Sequence, residues 1–485
     1  MADPALTLPI ILGVVLCGLC TIVALHYISY CLRDPKSGAR LPKGTFGWPI
    51  IGETFTVTRD PLGFARSHQQ RYGSIFKSNI FLRKTILGTT AEFAKFVTAN
   101  PRVFKVQYPE SVSFISPNAV FFKDGPRQVA VKKIFKRFTV AESLQTMIQP
   151  LESIILENLA SWEAQGTLVG SDGTDQLVAD TSSYISLGVK NIRSTPEGRL
   201  ALKNMLTMID CIKGLPINLP GTTHSKGRKA RAAVRAYLKS IVDQRKKQVD
   251  TECDILRTIL EAREKAQGSD ELKYYDEDSI IDEMVGAWFA AFKTTATTLT
   301  WILKFLVDYP DVLKKIQAEQ QEIVTDKDLS ATGPRLTYDD AKKMVYTSKV
   351  YQEVQRILSI SFVLARKAVE DVVYEGLLIP KGWAVLLMVN YVHHDPANYE
   401  DPMTFNPDRF TAAPKPNTYL PFGLGSHRCP GEEITKLIFL IYVHYLTTTY
   451  NYCWRSLLSK PGSKHISGIQ KLVTRLGTFI NDMTK

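Results

Sequence analysis

The hydrophobic pattern of the chain opens on an uncharged run. From Ala5 to Leu32 there is no Asp, Glu, Lys or Arg, and most side chains are apolar. About 20 helical residues cross the hydrocarbon core of a bilayer, so this run predicts a membrane anchor. Its length, and the lack of a small-residue cleavage site after it, set it apart from a cleaved signal peptide. Asp3 precedes the run while Arg33, Lys36, Arg40 and Lys43 follow it, which puts the bulk of the chain on the cytosolic side. The prolines and glycines of Leu41–Glu53 then make a stiff turn rather than a helix.

Beyond that turn the periodicity is mostly helical. Ser74–Leu87 alternates, with β-branched and aromatic residues, and predicts a hairpin of a small sheet. From about Ala91 to Val350 apolar residues recur at helical spacing. Asp276–Ser279 caps the longest predicted helix, which runs to about Val307 before Tyr309-Pro310 stops it. A second β region covers Val372–Leu387, with turns at Gly376 and Pro380-Lys381-Gly382, and a last long helix follows Pro430. The expected architecture is mostly α with small β-sheets (α+β): an anchor at 1–32, a Pro/Gly-rich hinge at 33–52 and a single catalytic domain at 53–485.

Composition narrows the function classes. The net charge of +12 suits an anionic membrane or an acidic partner. The basic residues lack the aromatic interleaving of a nucleic-acid platform, so no nucleic-acid partner is expected. Cys17, Cys20, Cys31, Cys211, Cys253, Cys429 and Cys453 are too scattered for a disulfide framework, and a reducing compartment fits them best.

The sharpest chemical signal is PFGLGSHRCPG, Pro421–Gly431. A cysteine that ligates iron must be a thiolate, which needs backbone N–H groups and helix polarity aimed at sulfur. Gly423, Gly425 and Gly431 allow close backbone approach to a flat macrocycle, and Pro430 suits a helix start. A buried structural cysteine would not need Phe422, Gly425, Cys429 and Gly431 at this spacing.

This segment resembles the haem-binding loop of cytochromes P450. Glu353-Val354-Gln355-Arg356 resembles that family's ExxR motif, and Pro407-Asp408-Arg409-Phe410 its PxRF motif. The resemblance implies the P450 fold, with haem b between the long distal helix and the helix after the cysteine loop. It makes Cys429 the axial ligand and sets Glu353, Arg356 and Arg409 as a structural triad. Phe422, Gly423, Gly425, His427, Arg428 and Gly431 would surround the cofactor, with Arg366 and His427 as propionate contacts. Within the family the chain is most like abscisic acid 8′-hydroxylases of the plant steroid and terpenoid branch. The matching stretches include GWPIIGET (Gly47–Thr54), PINLPGT (Pro216–Thr222), AVEDVVYEGLLIPKGW (Ala368–Trp383) and APKPNTYLPFG (Ala413–Gly423).

Three departures stand out. Ala290-Ala291-Phe292-Lys293-Thr294-Thr295 aligns with the oxygen-activation motif, yet Lys293 occupies the acid position. Thr294, Thr295 and Lys293 are the catalytic candidates, and Phe289, Ala290 and Ala291 would line the substrate pocket. An ammonium donates a proton but accepts none until it has lost one. On the early helix Gln128 and Lys132 stand where relatives hold propionates with His and Arg; a shift of one residue would put Arg127 and Val131 there instead. Ser459–Lys485 lacks the hairpin with which relatives touch substrate. Lys133, Lys136 and Arg137 offer either a solvated face or a docking surface for a reductase.

The expected activity is a monooxygenase at the endoplasmic reticulum acting on an apolar, terpenoid plant metabolite. With neither a nucleotide fingerprint nor a flavin motif in the chain, electrons from NADPH would come through NADPH-cytochrome P450 reductase. Two alternatives remain: a haem-thiolate enzyme that rearranges, cyclises or dehydrates its substrate, which Lys293 favours, and a haem protein that binds ligand without turnover.

Overall fold

The structure, a computed structural model, describes residues 39–48, 51–165, 170–212, 218–247, 254–325 and 336–449, with scattered positions between 13 and 25. The expected anchor at 1–32, apart from those positions, and the Ser459–Lys485 end lie outside the described residues. Among the described residues no helix is long and apolar enough to cross a membrane. The chain divides into two compact units, each made of two distant stretches: residues up to 107 with 362–391, and 108–361 with those from 392.

The first unit carries the sheet. Helices α1 (Thr54–Arg59) and α2 (Pro61–Tyr72) precede strands β1 (Ile75–Ile80) and β2 (Arg83–Gly88), followed by α3 (Ala91–Ala99) and β3 (Phe104–Val106). Strands β4 (Val363–Ala368), β5 (Val372–Tyr374), β6 (Leu377–Ile379) and β7 (Ala384–Met388) complete it. The expected hairpin is β1–β2, which turns through Phe81 and Leu82 with φ of 51° and 61°. Two consecutive left-handed residues give a turn whose twist matches the strands, here without glycine. The expected second β region resolves into β5, β6 and β7. Glu375 and Gly376 turn between β5 and β6, and Gly382 turns before β7.

The five-stranded sheet runs β1-β2-β7-β4-β3, with β2 and β7 parallel and the other pairs antiparallel. Strands β3 and β4 escape sequence reasoning because each is held mainly by pairing with remote chain, and β3 has only three residues. Leu62, Phe64, Phe76, Leu87 and Met388 form this unit's core.

The second unit is helical. Its main helices are α4 (Pro126–Phe138), α5 (Ala141–Gln165), α6 (Gly170–Leu187), α7 (Pro196–Cys211), α8 (Thr223–Arg245) and α9 (Ile255–Lys265). Then come α10 (Glu277–Asp308), α11 (Pro310–Thr325), α12 (Tyr338–Lys343), α13 (Val345–Leu358) and α14 (Glu432–Thr449). The Asp276 side chain accepts the Ser279 amide at the start of α10, and the helix ends before Tyr309-Pro310, as the sequence leads one to expect. Helix α6 packs along α10, and α14 along α5. Trp288, Phe292, Leu299, Phe439 and Tyr442 lie deep in their shared core.

A buried charge cluster ties α13 to the chain before the cysteine loop. Arg356 donates to both Glu353 oxygens, at 2.7 and 2.9 Å, and to the His393 carbonyl at 2.8 Å. Arg409 donates to Glu353 Oε1 at 3.0 Å, and the Asn406 amide reaches the same oxygen at 2.9 Å. Glu353 and Arg356 are both 0% exposed. Removing one member strands an unpaired buried charge, which costs about 3–5 kcal/mol. Arg356→Leu should therefore lower unfolding stability in urea by about that much; a loss below about 1 kcal/mol, the range of a surface pair, would contradict the structural role.

Candidate active site around the cysteine loop

The segment from Leu420 to Gly431 is a compact turn held by its own backbone. Gly423 and Gly425 adopt φ of 72° and 69°, a left-handed geometry that a side chain at these positions would strain. The Gly423 amide donates to Leu420 O at 3.0 Å and the Arg428 amide to Gly425 O at 3.1 Å. The Cys429 amide donates to Phe422 O at 2.8 Å, and the Thr435 amide to Gly431 O at 2.9 Å. Arg428 grips Glu432 with two 2.8 Å bonds. Phe422 stacks on Tyr351 of α13, with centroids 6.4 Å apart and planes at 24°.

His393, which sequence reasoning missed, fixes the entry to this turn. Its Nε2 accepts the Leu420 amide at 2.8 Å, so the ring proton sits on Nδ1 and donates to Ser359 Oγ at 2.7 Å. Ser359 Oγ passes its own proton to Arg356 O at 2.8 Å. Complete burial holds the imidazole well below its ordinary pKa and therefore neutral. No local pattern marks this residue, because its partners come from α13 and from the start of the loop.

Cys429 precedes α14, whose N-terminal polarity favours negative charge. The Gly431 amide donates to the sulfur and lowers the thiol pKa, as do Lys132 and Arg428. Burial opposes them more strongly, with Glu432 adding to it, and the thiol is pushed up. Its side chain keeps an accessible face, so the sulfur is crowded by protein yet reachable. Such a thiol stays protonated until a metal cation supplies the missing positive charge. Among the described residues no group of three or more His, Cys, Asp or Glu could hold a bare ion. Cys429 thus suits an iron that brings its own equatorial ligands, as haem does.

Helix α4 reaches the loop from the side. Gln128 Nε2 donates to Ser426 O at 3.3 Å, and Lys132 Nζ donates to Ser426 O and, at 3.3 Å, to Arg428 O. Burial lowers the Lys132 pKa, while the nearby Cys429 opposes that shift. Arg127 faces elsewhere, pairing with Glu283 at 2.7 Å, and Val131 is buried in the core. Of these residues, Gln128 and Lys132 are the ones that face the loop. His427 meets Asp124 at 2.9 Å. Arg366 belongs to β4 of the first unit, where it is buried and donates to Ala365 O at 2.9 Å.

On α10 the residues expected at the distal face separate. Ala290 and Thr294, one turn apart, are exposed on a helix otherwise largely buried, with Phe289 and Ala291 half-buried beside them. Thr294 Oγ1 donates to Ala290 O at 2.7 Å. Thr295 is 2% exposed and belongs to the packing rather than to that face. Lys293 turns away, its Nζ lying 2.5 Å from Asp175 Oδ2 of α6.

A reachable thiol set on glycine turns, near a Glu–Arg–Arg cluster, is the arrangement that suits a haem-thiolate protein. The chain belongs to the cytochrome P450 family, which it matches over residues 42–451. It is 37% identical over 436 residues to abscisic acid 8′-hydroxylase 1 of Arabidopsis thaliana, covering 88% of this chain and 89% of the relative. The abscisic acid 8′-hydroxylase CYP707A1 of Solanum lycopersicum is 36% identical over 457 residues, covering 91% of this chain and 93% of that protein. A solved structure, retinoic acid bound cyanobacterial CYP120A1, superposes with a TM-score of 0.75 at 26% identity, over 84% of this chain and 92% of that one. The protein is a P450 monooxygenase with haem b as cofactor, a small-molecule substrate and a reductase that supplies electrons from NADPH.

If Cys429 is the ligand, the reduced carbon monoxide complex has the red-shifted Soret band of a thiolate-bound haem. Cys429→Ala should abolish that band and Cys211→Ala should retain it; the reverse pattern would rule Cys429 out.

Proposed function

We propose that the protein hydroxylates an abscisic acid-like, terpenoid-derived acid at the endoplasmic reticulum membrane. The observation that carries this reading is identity of about one third to abscisic acid 8′-hydroxylases along nearly the whole chain, including the cysteine loop. Because these relatives are hydroxylases, oxygen insertion is favoured over the rearranging and non-turnover alternatives.

When bound, haem iron supplies oxygen activation, and the cysteine thiolate pushes electron density toward O–O cleavage. The chain's own residues bind, orient and move protons. Cys429 would hold the iron, its thiolate steadied by the Gly431 amide and the start of α14. Thr294 presents a hydroxyl on the exposed stripe of α10 and is suited to hold a proton there. Phe289, Ala290 and Ala291 give that stripe an apolar border for substrate. Gln128 and Lys132 brace the cysteine loop, and with His427 they are the groups of this unit available to haem carboxylates. Lys133, Lys136 and Arg137 are exposed on α4 and suit an acidic reductase surface.

Incubation with abscisic acid, NADPH, a plant reductase and ¹⁸O₂ should give a product carrying one labelled oxygen. Thr294→Ala should cut product per NADPH on the order of 100-fold and release peroxide instead. An unlabelled, isomerised product would overturn the hydroxylase reading, and turnover only of other terpenoids would overturn the substrate.

The uncharged run Ala5–Leu32 supports a membrane anchor with the catalytic part in the cytosol. Removing Met1–Tyr30 should give a protein that still binds haem and leaves the membrane at moderate salt. Equal retention of both forms in the membrane pellet would count against the anchor.

A further inference from the structure

Lys293 is the residue of α10 whose chemistry the reading above does not use. It directly precedes Thr294, so the two side chains leave the helix about 100° apart, on adjoining faces. Its side chain is 42% exposed, and its ammonium lies 2.5 Å from Asp175, whose side chain is 27% exposed. Burial raises the Asp175 carboxyl pKa, the bond to Lys293 lowers it, and neighbouring Asp172 raises it again. One flanking contact ties α6 to α10, and a second stays within α10. Thr174 and Thr300 hydroxyls meet at 2.6 Å, and Thr297 Oγ1 donates to Lys293 O at 2.8 Å. The Lys293 Nζ also lies 5.7 Å from the Phe292 ring centroid. A four-carbon stem released from Asp175 is long enough to swing its charge toward the Thr294–Ala290 stripe.

We propose that Asp175 is a positioning residue for the distal face: by holding the Lys293 ammonium against α6, it keeps a fixed positive charge off the stripe formed by Ala290 and Thr294. The inference rests on the reading that this stripe faces the iron. It explains how a lysine stands beside the proton-delivering threonine without changing the charge of that face. It also shows that Lys293→Asp is no simple restoration of an acid, since it would set two carboxylates against each other between α6 and α10.

An anionic iron ligand reads the charge directly, without turnover. Asp175→Asn, of nearly the same shape, should bind cyanide in the ferric state about tenfold more tightly, the scale of one partly screened charge brought near the ligand. Carbon monoxide affinity in the ferrous state should not change, because that ligand is neutral. The double variant Asp175→Asn/Lys293→Met should return cyanide affinity to the parental value. Unchanged cyanide affinity in Asp175→Asn, with only a lower Tm, would make the pair a plain helix clamp and overturn the proposal. Ala290→Trp separates the two layers of inference, since it should obstruct cyanide if the stripe faces iron. If it does not, the placement of the stripe and the role of Asp175 fall together. If it does and Asp175→Asn has no effect, the role of Asp175 alone falls.

Discussion

The cysteine loop depends on a charge cluster whose centre, Glu353 with Arg356, is fully buried, with Arg409 at its edge. Glu353 accepts two bonds from Arg356, one from Arg409 and one from the Asn406 amide, so its carboxylate is saturated. Arg409 also donates to carbonyls at Glu400, Asp401 and Thr404. Burying such a cluster costs several kcal/mol of desolvation per ion and gains little net stability over an apolar core. What it provides here is direction. A planar fork bonds only in its own plane, so the segment from 400 to 409 docks on α13 in one orientation.

That orientation passes to the thiol through a short chain of bonds. Arg356 holds the His393 carbonyl, the His393 ring receives the Leu420 amide, and Leu420 opens the turn that ends at Cys429. Each link is buried, and each uses a donor or acceptor that would otherwise be unsatisfied, which is why the arrangement resists local rearrangement. Burial pushes the thiol up rather than leaving it ionised, so a bound iron would supply the charge that completes the site.

Helix α10 follows a different logic. On α10 the exposed stripe is narrow, and a charged residue next to it is tolerated because a neighbouring helix supplies the counter-ion. Lys293 on α10 and Asp175 on α6 form an ion pair, so the ammonium next to the stripe has its counter-ion on the neighbouring helix.

The sequence by itself determined the features that local chain chemistry encodes. The cap at Asp276, the stop at Tyr309-Pro310, the β1–β2 hairpin and the glycines around Cys429 all act within a few residues of their own position. The motif spacings were legible for the same reason: Glu353 and Arg356 share one helix face. Only the tertiary structure decided what depends on residues far apart in the chain. It paired β3 with β4, brought His393 to Leu420, and turned Gln128 and Lys132 toward the loop while committing Arg127 to Glu283. It also sent Lys293 to Asp175, a partner more than a hundred residues earlier. A flexible, charged side chain has many rotamers of similar energy, and which one it adopts is set by the opposite charge that folding places within reach.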